Sequence, residues 1–340
     1  MNSRERVMLA LGCKKPDRVP ICELFINESI IEKTCKDCNY EDFINKLDLD
    51  VVLVSDRNYG QRKEKIGDNT YKDSWNIIYK GSREAKLIEI GFPIKSKEDL
   101  LKYNPPDPLE DEKINELKEK VKLFKGKRAI VFLISDSFSI PRKLLGMENL
   151  LINYIADPTL VYELVKMSVE YNLVLVENAI KIGADIIASA DDYADKSTTI
   201  MSPEHFKRFI LPGLQSLVLR THELGAKYIK HTDGNIKGIL DMLIDCGIDG
   251  LHPLDPSAGM DIFEVKKKYM EKICVIGNVD CIKTLCTGTE KEVENEVINL
   301  IEGLREFPGF MIASSNSIHD GVKIENFLKM IETAKSIGRY

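Results

Sequence analysis

The sequence predicts an α/β fold, a single (β/α)8 TIM barrel that spans residues 1–340. Eight short runs rich in Val, Ile and Ala lie along the chain, and amphipathic helical patterns separate most of them. No Gly-x-Gly-x-x-Gly turn follows the first run, although an open dinucleotide-binding sheet needs one there. A chain of 340 residues, 44% of them hydrophobic, is long enough to fill such a core.

The strands are predicted from short runs rich in Val, Ile and Ala, because a parallel strand in a barrel is covered on both faces. Turn residues bound each run. The eight predicted strands cover residues 19–26, 51–55, 129–135, 185–190, 227–231, 250–254, 273–278 and 309–314.

The helices are predicted from apolar spacing and from end signals. Residues 147–181 are long enough for two helices, and Gly183 supplies a stop. A Ser-Pro pair at 202–203 and a capping box that begins at Thr289 mark two helix starts. The other predicted helices are 203–224 with a break at Pro212, 236–246, 262–269, 291–306 and 326–337.

The connection between the second and third predicted strands, residues 57–128, is far longer than one crossover helix. Within it, residues 71–94 alternate apolar and polar side chains around a Lys-Gly-Ser turn, which predicts a β-hairpin or small meander. We expect this insertion to lie over or beside the barrel mouth as a lid or partner surface. A decorative insertion is the alternative.

Charge and composition exclude several classes of protein. The net charge of −6 repels phosphate backbones and anionic lipid, so neither nucleic acid nor a membrane is an expected partner. No apolar run approaches the roughly 18–20 residues of a membrane span, and no signal-peptide core follows Met1. The expected location is the cytoplasm, where the eight cysteines are thiols. The C-x-x-C pair of Cys35 and Cys38 lacks a second pair at zinc-finger spacing, so neither structural zinc nor redox use is expected there.

Chemistry in a barrel of this type lies where strands end and loops begin, so the residues at these points form the candidate site. Most are carboxylates or imidazoles. So many carboxylates around one mouth require hydrogen bonds, a cationic substrate or a metal ion to offset their repulsion. The alternative is that each Asp caps the helix that follows it. The candidates are Asn27, Glu28, Asp56, Asp136, Asp191, Asp192, Asp195, His231, Asp233, His252, Asp255, Asn278, Asp280, Ser314, Ser315, Asn316 and His319.

His231 and Asp233 stand two residues apart at the end of the fifth predicted strand. Side chains alternate along a strand, so both face the same side, where an imidazole and a carboxylate make two legs of a zinc site. Asp191 or Asp192 and His252 are the candidates for the other legs. Iron and manganese also suit these donors. The alternative is that His231 and Asp233 bind each other and an organic substrate through hydrogen bonds.

Six runs near the strand ends resemble motifs of the uroporphyrinogen decarboxylase superfamily. They occur in the expected order along nearly the whole chain. The resemblance implies a single-domain (β/α)8 barrel, in agreement with the count of strands. The runs are KPDRVP (15–20), MSPE (201–204), HTDGN (231–235), DGLHP (249–253), GNVD (277–280) and SSNSIH (314–319).

The resemblance also separates the branches of this superfamily. The decarboxylase proper has an arginine-rich segment early in the barrel, whereas residues 21–28 contain no arginine. Asp56 nevertheless lies where that family keeps its catalytic aspartate. Methyltransferases that use coenzyme M bind zinc through a His-x-Cys pair and a later Cys, but here Asp233 replaces the first Cys and Ser314 or Ser315 stands near the second. The sequence is most similar to the branch that moves methyl groups from methoxylated aromatics or methylamines to a corrinoid protein.

This resemblance implies a corrinoid-dependent methyltransferase whose partners are a corrinoid protein and a small methyl donor. Cobalt of the partner's corrinoid is then the nucleophile, so this chain supplies none. A zinc ion at His231 and Asp233 would polarise the donor, with His252 as a further ligand or general acid and Asp191 beside them. The alternatives are a uroporphyrinogen decarboxylase or related cofactor-free decarboxylase that uses Asp56, and a non-catalytic tetrapyrrole- or corrinoid-binding protein. The methyl donor, the metal and the oligomeric state stay open. Substrate contacts are expected from Asn27, Glu28, Asp136, Asp192, Asn278, Ser315, Asn316 and His319.

Overall fold

The computed structural model describes residues 1–55, 64–81 and 87–340. The described residues form strands in two sheets. The strands are β1 Val51–Val54, β2 Glu64–Gly67, β3 Thr70–Lys72, β4 Ile78–Lys80, β5 Ile88–Gly91, β6 Ala129–Ile134, β7 Ile186–Ala190, β8 Lys227–His231, β9 Gly250–His252, β10 Cys274–Ile276 and β11 Phe310–Met311.

The main sheet contains seven parallel strands in the order β1-β6-β7-β8-β9-β10-β11. Each of the seven falls within a predicted strand, so those seven predictions are confirmed. Neighbours in the sheet follow one another along the chain, with helices in the connections, as in a TIM-like α/β fold. The register aligns Ala190 with His231 and His231 with His252, which sets the geometry of the site.

The prediction of a continuous strand at residues 19–26 is wrong. Pro20 has no N–H to donate, and the N–H of Ile21 donates to the Asp50 side chain at 2.8 Å rather than to a strand. The segment makes an isolated parallel bridge between Ile21 and Ile312. Its backbone still reaches both edges of the main sheet, because Ile312 N donates to Pro20 O (2.9 Å) and Asp50 N donates to Ile21 O (3.2 Å).

The helices mostly follow the end signals in the sequence. Residues 147–181 are confirmed as two helices, with Pro158 at the first position of the second one and Asp157 as its cap. The helix predicted at 236–246 is shorter, because an Asx turn at Asn235 precedes it. No helix within the described residues has the length and apolarity that crossing a bilayer demands. The α-helices are α1 Ser3–Leu11, α2 Glu28–Thr34, α3 Tyr40–Leu47, α4 Lys97–Lys102, α5 Lys113–Phe124, α6 Ser139–Leu145, α7 Met147–Ala156, α8 Pro158–Ile182, α9 Pro203–His205, α10 Leu211–Glu223, α11 Leu240–Asp245, α12 Ile262–Tyr269, α13 Thr284–Thr287, α14 Glu290–Leu304 and α15 Ile324–Ile337.

Two apolar cores lie on opposite faces of the main sheet. The inner core contains alternate strand residues such as Leu53, Val131 and Ile229. Val7 and Leu11 of α1 belong to the same core, so α1 closes the end of the sheet from which the strands start. The outer core joins the sheet to the surrounding helices. The carboxyl ends of the strands therefore form the open end of the inner space.

The insertion between β1 and β6 contains a four-stranded antiparallel sheet in the order β2-β3-β4-β5. Tyr71 and Tyr79 pair across β3 and β4 and are buried, so one face packs against the rest of the protein. Ile88 and Ile90 of β5 are exposed. The strands occupy the region where the sequence predicts a hairpin or meander.

Cys35 and Cys38 form a disulfide, with 5.4 Å between their Cα atoms. The expectation of eight thiols is therefore wrong for this pair, because the turn after α2 brings the two side chains together. The other six cysteines are free.

Candidate active site

The polar cluster at the carboxyl ends of β8 and β9 is built by strand register. His231 ends β8 and pairs with His252, the last residue of β9. The two Nδ1 atoms are 2.7 Å apart, so one ring donates a hydrogen bond to the other. The Nε2 atom of His231 lies 3.8 Å from Asp192 Oδ1 and 3.7 Å from Asp233 Oδ1. The structure thus gathers four of the predicted site residues in one place.

Asp233 is held by its neighbours but keeps one oxygen unpaired. The amide of Asn316 donates to Asp233 Oδ2 at 2.7 Å. The N–H of Asp233 donates to Asp192 Oδ1 at 3.0 Å. Asp233 Oδ1 is buried and has no hydrogen-bond partner among the described residues. An unpaired carboxylate oxygen beside an imidazole nitrogen is suited to bind a cation.

A buried carboxyl group, Glu23, anchors the loop that carries Asn316. The Glu23 side chain accepts hydrogen bonds from Ser314 N at 2.6 Å and from Ser314 Oγ at 2.8 Å. Burial raises the pKa of Glu23 to about 7, and the bonds from Ser314 oppose that rise. Glu23 thus acts on Asp233 indirectly, through the position of Asn316.

Burial also sets the protonation of the cluster. It lowers the pKa of His231 to about 4, against the pull of Asp192. Burial, and then the ring of His231, lower the pKa of His252 well below its ordinary value. Burial and Asp192 raise the pKa of Asp233 to about 7. Both imidazoles are therefore neutral at neutral pH, which is the form that binds metal ions.

Asp192, His231 and Asp233 fit a divalent metal ion. Each offers one ligand atom, and these atoms lie within 4.8 Å of one another. One imidazole nitrogen with two carboxylate oxygens suits zinc, iron or manganese. His252 occupies the Nδ1 side of His231 and so directs Nε2 towards the carboxylates. In this arrangement His252 orients the ring of the metal ligand His231, and Asp192 supplies a carboxylate ligand beside it.

A cavity of about 670 Å³ adjoins this cluster at the carboxyl ends of β1, β6 and β7. Its wall includes Ser55, Ala190 and Phe25, and the insertion contributes Trp75. Ala190 is the register partner of His231. The Phe25 ring packs edge-on against the His231 ring, with 5.0 Å between their centres. Phe25 and Ala190 therefore connect the cavity wall to the His231 cluster, whose own residues are not among those that line the cavity.

Asp136 and Asp191 do not line this mouth, which corrects the expected position of both. They are fully buried in the layer between the sheet and the helices, because a residue one place before Asp192 points to the opposite face of the strand. Asp191 accepts a hydrogen bond from Phe138 N at 2.9 Å. Burial and Asp136 raise the pKa of Asp191 to about 7. Burial works the same way on Asp136, but Lys230, at 2.7 Å, holds the pKa of Asp136 below its ordinary value.

The other predicted site residues within the described ranges are not part of the cluster. Asn27 and Glu28 are exposed at the start of α2, and Asp56 lies outside the described residues. Asn278, Ser315 and His319 make hydrogen bonds that hold loops at the strand ends. Their partners are Leu254 O for Asn278 (2.7 Å), Cys281 N for Ser315 (3.0 Å) and Gly321 N for His319 (3.0 Å).

The helix-capping alternative holds for Asp255, which caps the short 3-10 helix Pro256–Ala258, whereas Asp195 and Asp280 close turns. Each carboxylate accepts a hydrogen bond from the backbone N–H two residues further on, at 2.7, 2.8 and 2.7 Å respectively. These three residues shape loops, whereas Asp233 does not bind the N–H groups that follow it.

Sequence reasoning missed Glu23, Lys230 and Trp75. Glu23 is the one charged residue in an otherwise apolar run, and Lys230 lies inside a predicted strand, where a covered charge needs a buried partner. Trp75 is the only tryptophan of the chain and lies in the insertion. The charges inside predicted strands and the single tryptophan in the insertion were both visible in the sequence.

Known proteins resemble this chain along much of its length. A family model described as uroporphyrinogen decarboxylase (URO-D) matches residues 83–337. Methylcobamide:CoM methyltransferase MtaA of Methanosarcina barkeri is 25% identical over 203 residues, which cover 58% of this chain and 58% of that protein. Methylcobamide:CoM methyltransferase MtbA of Methanosarcina mazei is 23% identical over 187 residues, 54% of this chain and 51% of that protein. The chain thus matches only a little over half the length of these relatives.

Solved structures share the fold. A methyltransferase from Methanosarcina mazei superposes with a TM-score of 0.77 at 18% identity, over 99% of both chains. A B12-independent methionine synthase from Shewanella sp. W3-18-1, in complex with selenomethionine, gives a TM-score of 0.55 at 11% identity, over 94% of this chain and 92% of that one.

Proposed function

The chain belongs to the uroporphyrinogen decarboxylase (URO-D) family, and we propose that it is a methyltransferase that works with a corrinoid protein. The observation that carries this proposal is the cluster of His231, Asp192 and Asp233 beside a cavity of ligand size. The relatives named methylcobamide:CoM methyltransferases support the same class of reaction. The donor is a small methylated compound of the methoxylated aromatic or methylamine type.

The chain's own task is to bind the donor and, for an ether donor, to offset the negative charge that develops on the departing oxygen. A divalent ion held by His231, Asp192 and Asp233 would supply a Lewis acid at that atom. His252 orients the imidazole, and Asn316 holds the second oxygen of Asp233. No thiolate takes part, in contrast to the zinc sites of the coenzyme M methyltransferases that the sequence resembles in part.

We assign the insertion the role of a lid, because it places Trp75 on the same cavity wall as Ser55 and Ala190 at the strand ends. Asn27 and Glu28, which are exposed after the segment that joins the sheet edges, are assigned to contact with the donor or the corrinoid partner. We also infer that residues 1–340 act as one barrel domain, with the segment at 19–26 joining the two edges of the seven-stranded sheet.

A uroporphyrinogen decarboxylase is the second candidate, and the family itself favours it. Its substrate carries many carboxylates and needs cationic partners. The described residues that line the cavity include no arginine and more carboxylates than ammonium groups, so a polyanion is disfavoured there.

Two product assays decide between the candidates. The purified chain is incubated with cob(I)alamin and either a methoxylated aromatic or a methylated ammonium donor, and methylcobalamin is followed by its visible absorbance. In parallel, uroporphyrinogen is incubated with the chain and the porphyrins are separated by chromatography. We expect methylcobalamin and no enzymatic accumulation of coproporphyrinogen. Ready formation of coproporphyrinogen without methylcobalamin would overturn the proposal.

A further inference from the structure

Two aromatic rings form a corner in the wall of the cavity. Trp75 and Tyr171 are half-buried and meet edge-to-face, with 4.7 Å between ring centres. Contacts on both residues hold the two rings in place. Tyr103 Oη donates to Trp75 O at 2.9 Å, and Tyr171 Oη lies 3.4 Å from Asp111 Oδ2. A fixed pair of ring faces of this kind attracts methyl groups that carry positive charge.

The charge around this corner is negative. The described lining residues include five carboxylates and two ammonium groups, which leaves an excess of three negative charges. Three of the carboxylates, Asp107, Glu110 and Glu112, lie in the exposed segment between α4 and α5. This segment therefore places carboxylates at the edge of the cavity, next to solvent.

Both ammonium groups already have partners within the protein. Lys113 Nζ donates to Leu133 O at 3.1 Å and lies 3.5 Å from Asp111 Oδ2. Burial, and then the neighbouring Arg142, lower the pKa of Lys143, and the carboxylates of Glu89 and Asp73 only partly oppose this. Neither lysine is therefore a free partner for an anion, and the excess of carboxylates favours a cationic ligand.

We propose that this cavity binds a methylated ammonium group, with the methyl groups against Trp75 and Tyr171 and the rim carboxylates around the positive charge. This inference rests on the function proposed above only for the fate of the methyl group. It selects the cationic methylated amine among the donor types, and it makes Trp75, Tyr171, Asp107 and Glu110 specificity-determining residues.

A quaternary ammonium donor also simplifies the transfer step. The carbon–nitrogen bond breaks, and its electron pair stays on nitrogen, which leaves as a neutral tertiary amine. The new bond to the methyl carbon uses the electron pair of a cobalt(I) corrinoid, the co-reactant of the proposed function. No proton is consumed, whereas an ether donor needs one for its departing oxygen.

The single tryptophan makes binding directly measurable. Because Trp75 is the only tryptophan of the chain, tryptophan emission, excited at a wavelength that tyrosine does not absorb, reports this cavity. The chain is titrated with choline and, separately, with 3,3-dimethyl-1-butanol, which has the same shape but carbon in place of the charged nitrogen. We expect a saturable change with choline at a Kd about tenfold below that of the neutral alcohol. Equal affinity for both probes, or tighter binding of 4-methoxybenzoate, would overturn the inference.

Variants test the charge and the rings separately. The double variant D107N/E110Q keeps the shape of the rim, and we expect it to weaken choline binding about fivefold. E119Q on the exposed side of α5 is the matched control and should leave the Kd unchanged. W75L removes the fluorophore, so its binding is measured by calorimetry and should be lost while circular dichroism stays native. Full choline affinity in both cavity variants contradicts the assignment.

Binding and turnover separate this inference from the proposed function. If choline binds as expected but no donor of any type is demethylated, the methyltransferase proposal is wrong and the cation site is retained. Methyl transfer from a methoxylated aromatic, together with a fluorescence signal that choline does not change, would support the methyltransferase proposal and overturn the cation site.

Discussion

The two ring nitrogens of His231 have different tasks. Nδ1 is bound to His252 at 2.7 Å, whereas Nε2 faces the carboxylates of Asp192 and Asp233. This division is typical of a metal-binding histidine, whose second nitrogen is fixed by a neighbour. His231 is therefore expected to be required for metal binding, whereas His252 is expected to set the affinity for the metal ion.

Replacement of the two histidines should separate these tasks. H231A removes a ligand, so the purified, dialysed protein should lose nearly all of its zinc, iron or manganese by elemental analysis. H252A leaves the ligands in place, so zinc affinity measured by chelator competition should fall about 10–100-fold. H222A is the control, because His222 is exposed and pairs with Asp249 at the opposite strand ends. Equal metal content in all three variants would mean that the cluster holds no ion.

Glu23 should make stability depend on pH. Its folded pKa is raised from 4.5 to about 7, so the folded state binds a proton more tightly than the unfolded chain does. This stabilisation is complete at pH values below the pKa of Glu23 in the unfolded chain. It is lost as the pH rises towards the pKa of the folded state, and the free energy of unfolding then falls by about 3 kcal/mol. Relative to the wild type, the free energy of unfolding of E23Q in urea should thus rise between about pH 4.5 and 7. Parallel pH profiles would contradict the assignment. Asp191 and Asp233 titrate in both proteins and cancel from the comparison.

Single residues show what the sequence can predict. The pairing of His231 with Asp233 follows from the period of two along a strand, and the structure brings them together. The same period directs Asp191 away from the mouth, but applying it there requires knowing where the strand ends and the loop begins. The contact between Asn316 and Asp233 spans 83 residues, and no local pattern in one sequence specifies it.

Among the elements, α1 is tied to the start of β1 through buried charges. Arg6 of α1 donates to Asp50 Oδ1 at 2.6 Å, and Arg18 donates to Asp50 Oδ2 at 2.8 Å. Asp50 also accepts from Ile21 N at 2.8 Å, so one carboxylate joins the helix, the first segment and the sheet. The segment at 19–26 departs from the predicted strand at Ile21 for this reason, since the N–H of Ile21 donates to a side chain that sequence periodicity does not reveal.

Removal of the charge on Asp50 should weaken this junction. In D50N two guanidinium groups lose their buried partner, which costs about 3 kcal/mol in the free energy of unfolding by urea. E119Q breaks an exposed pair with Lys122 and should cost less than about 1 kcal/mol. If D50N unfolds at the same urea concentration as E119Q, the junction does not stabilise the fold.

On the scale of the whole molecule, the family predicted from the sequence is confirmed, and the fold is the parallel α/β architecture expected for it. The strand count and the order of the motifs were enough for this, because both depend on patterns repeated along the chain. The sequence predicts the insertion over or beside the barrel mouth, but the contacts between distant segments that place Trp75 in the cavity wall cannot be derived from local patterns.

The insertion and the main sheet should unfold together. Trp75 reports the insertion by fluorescence, and far-ultraviolet circular dichroism reports mainly the helices around the main sheet. Burial of Tyr71 and Tyr79 links the two parts, so both probes should give one coincident urea transition. A fluorescence transition at clearly lower urea would show that the insertion is a separate unit.

Transfer of an isotopically labelled methyl group tests the central claim most directly. A donor with a deuterated methyl group, methoxylated aromatic or methylated ammonium, is mixed with cob(I)alamin and the chain, and the cobalamin product is analysed by mass spectrometry. We expect deuteromethylcobalamin with the wild type and at least about a hundredfold less with H231A, because that variant loses the imidazole at the centre of the site. Labelled product formed at the same rate by H231A, or no label in the cobalamin from either donor, would contradict the claim.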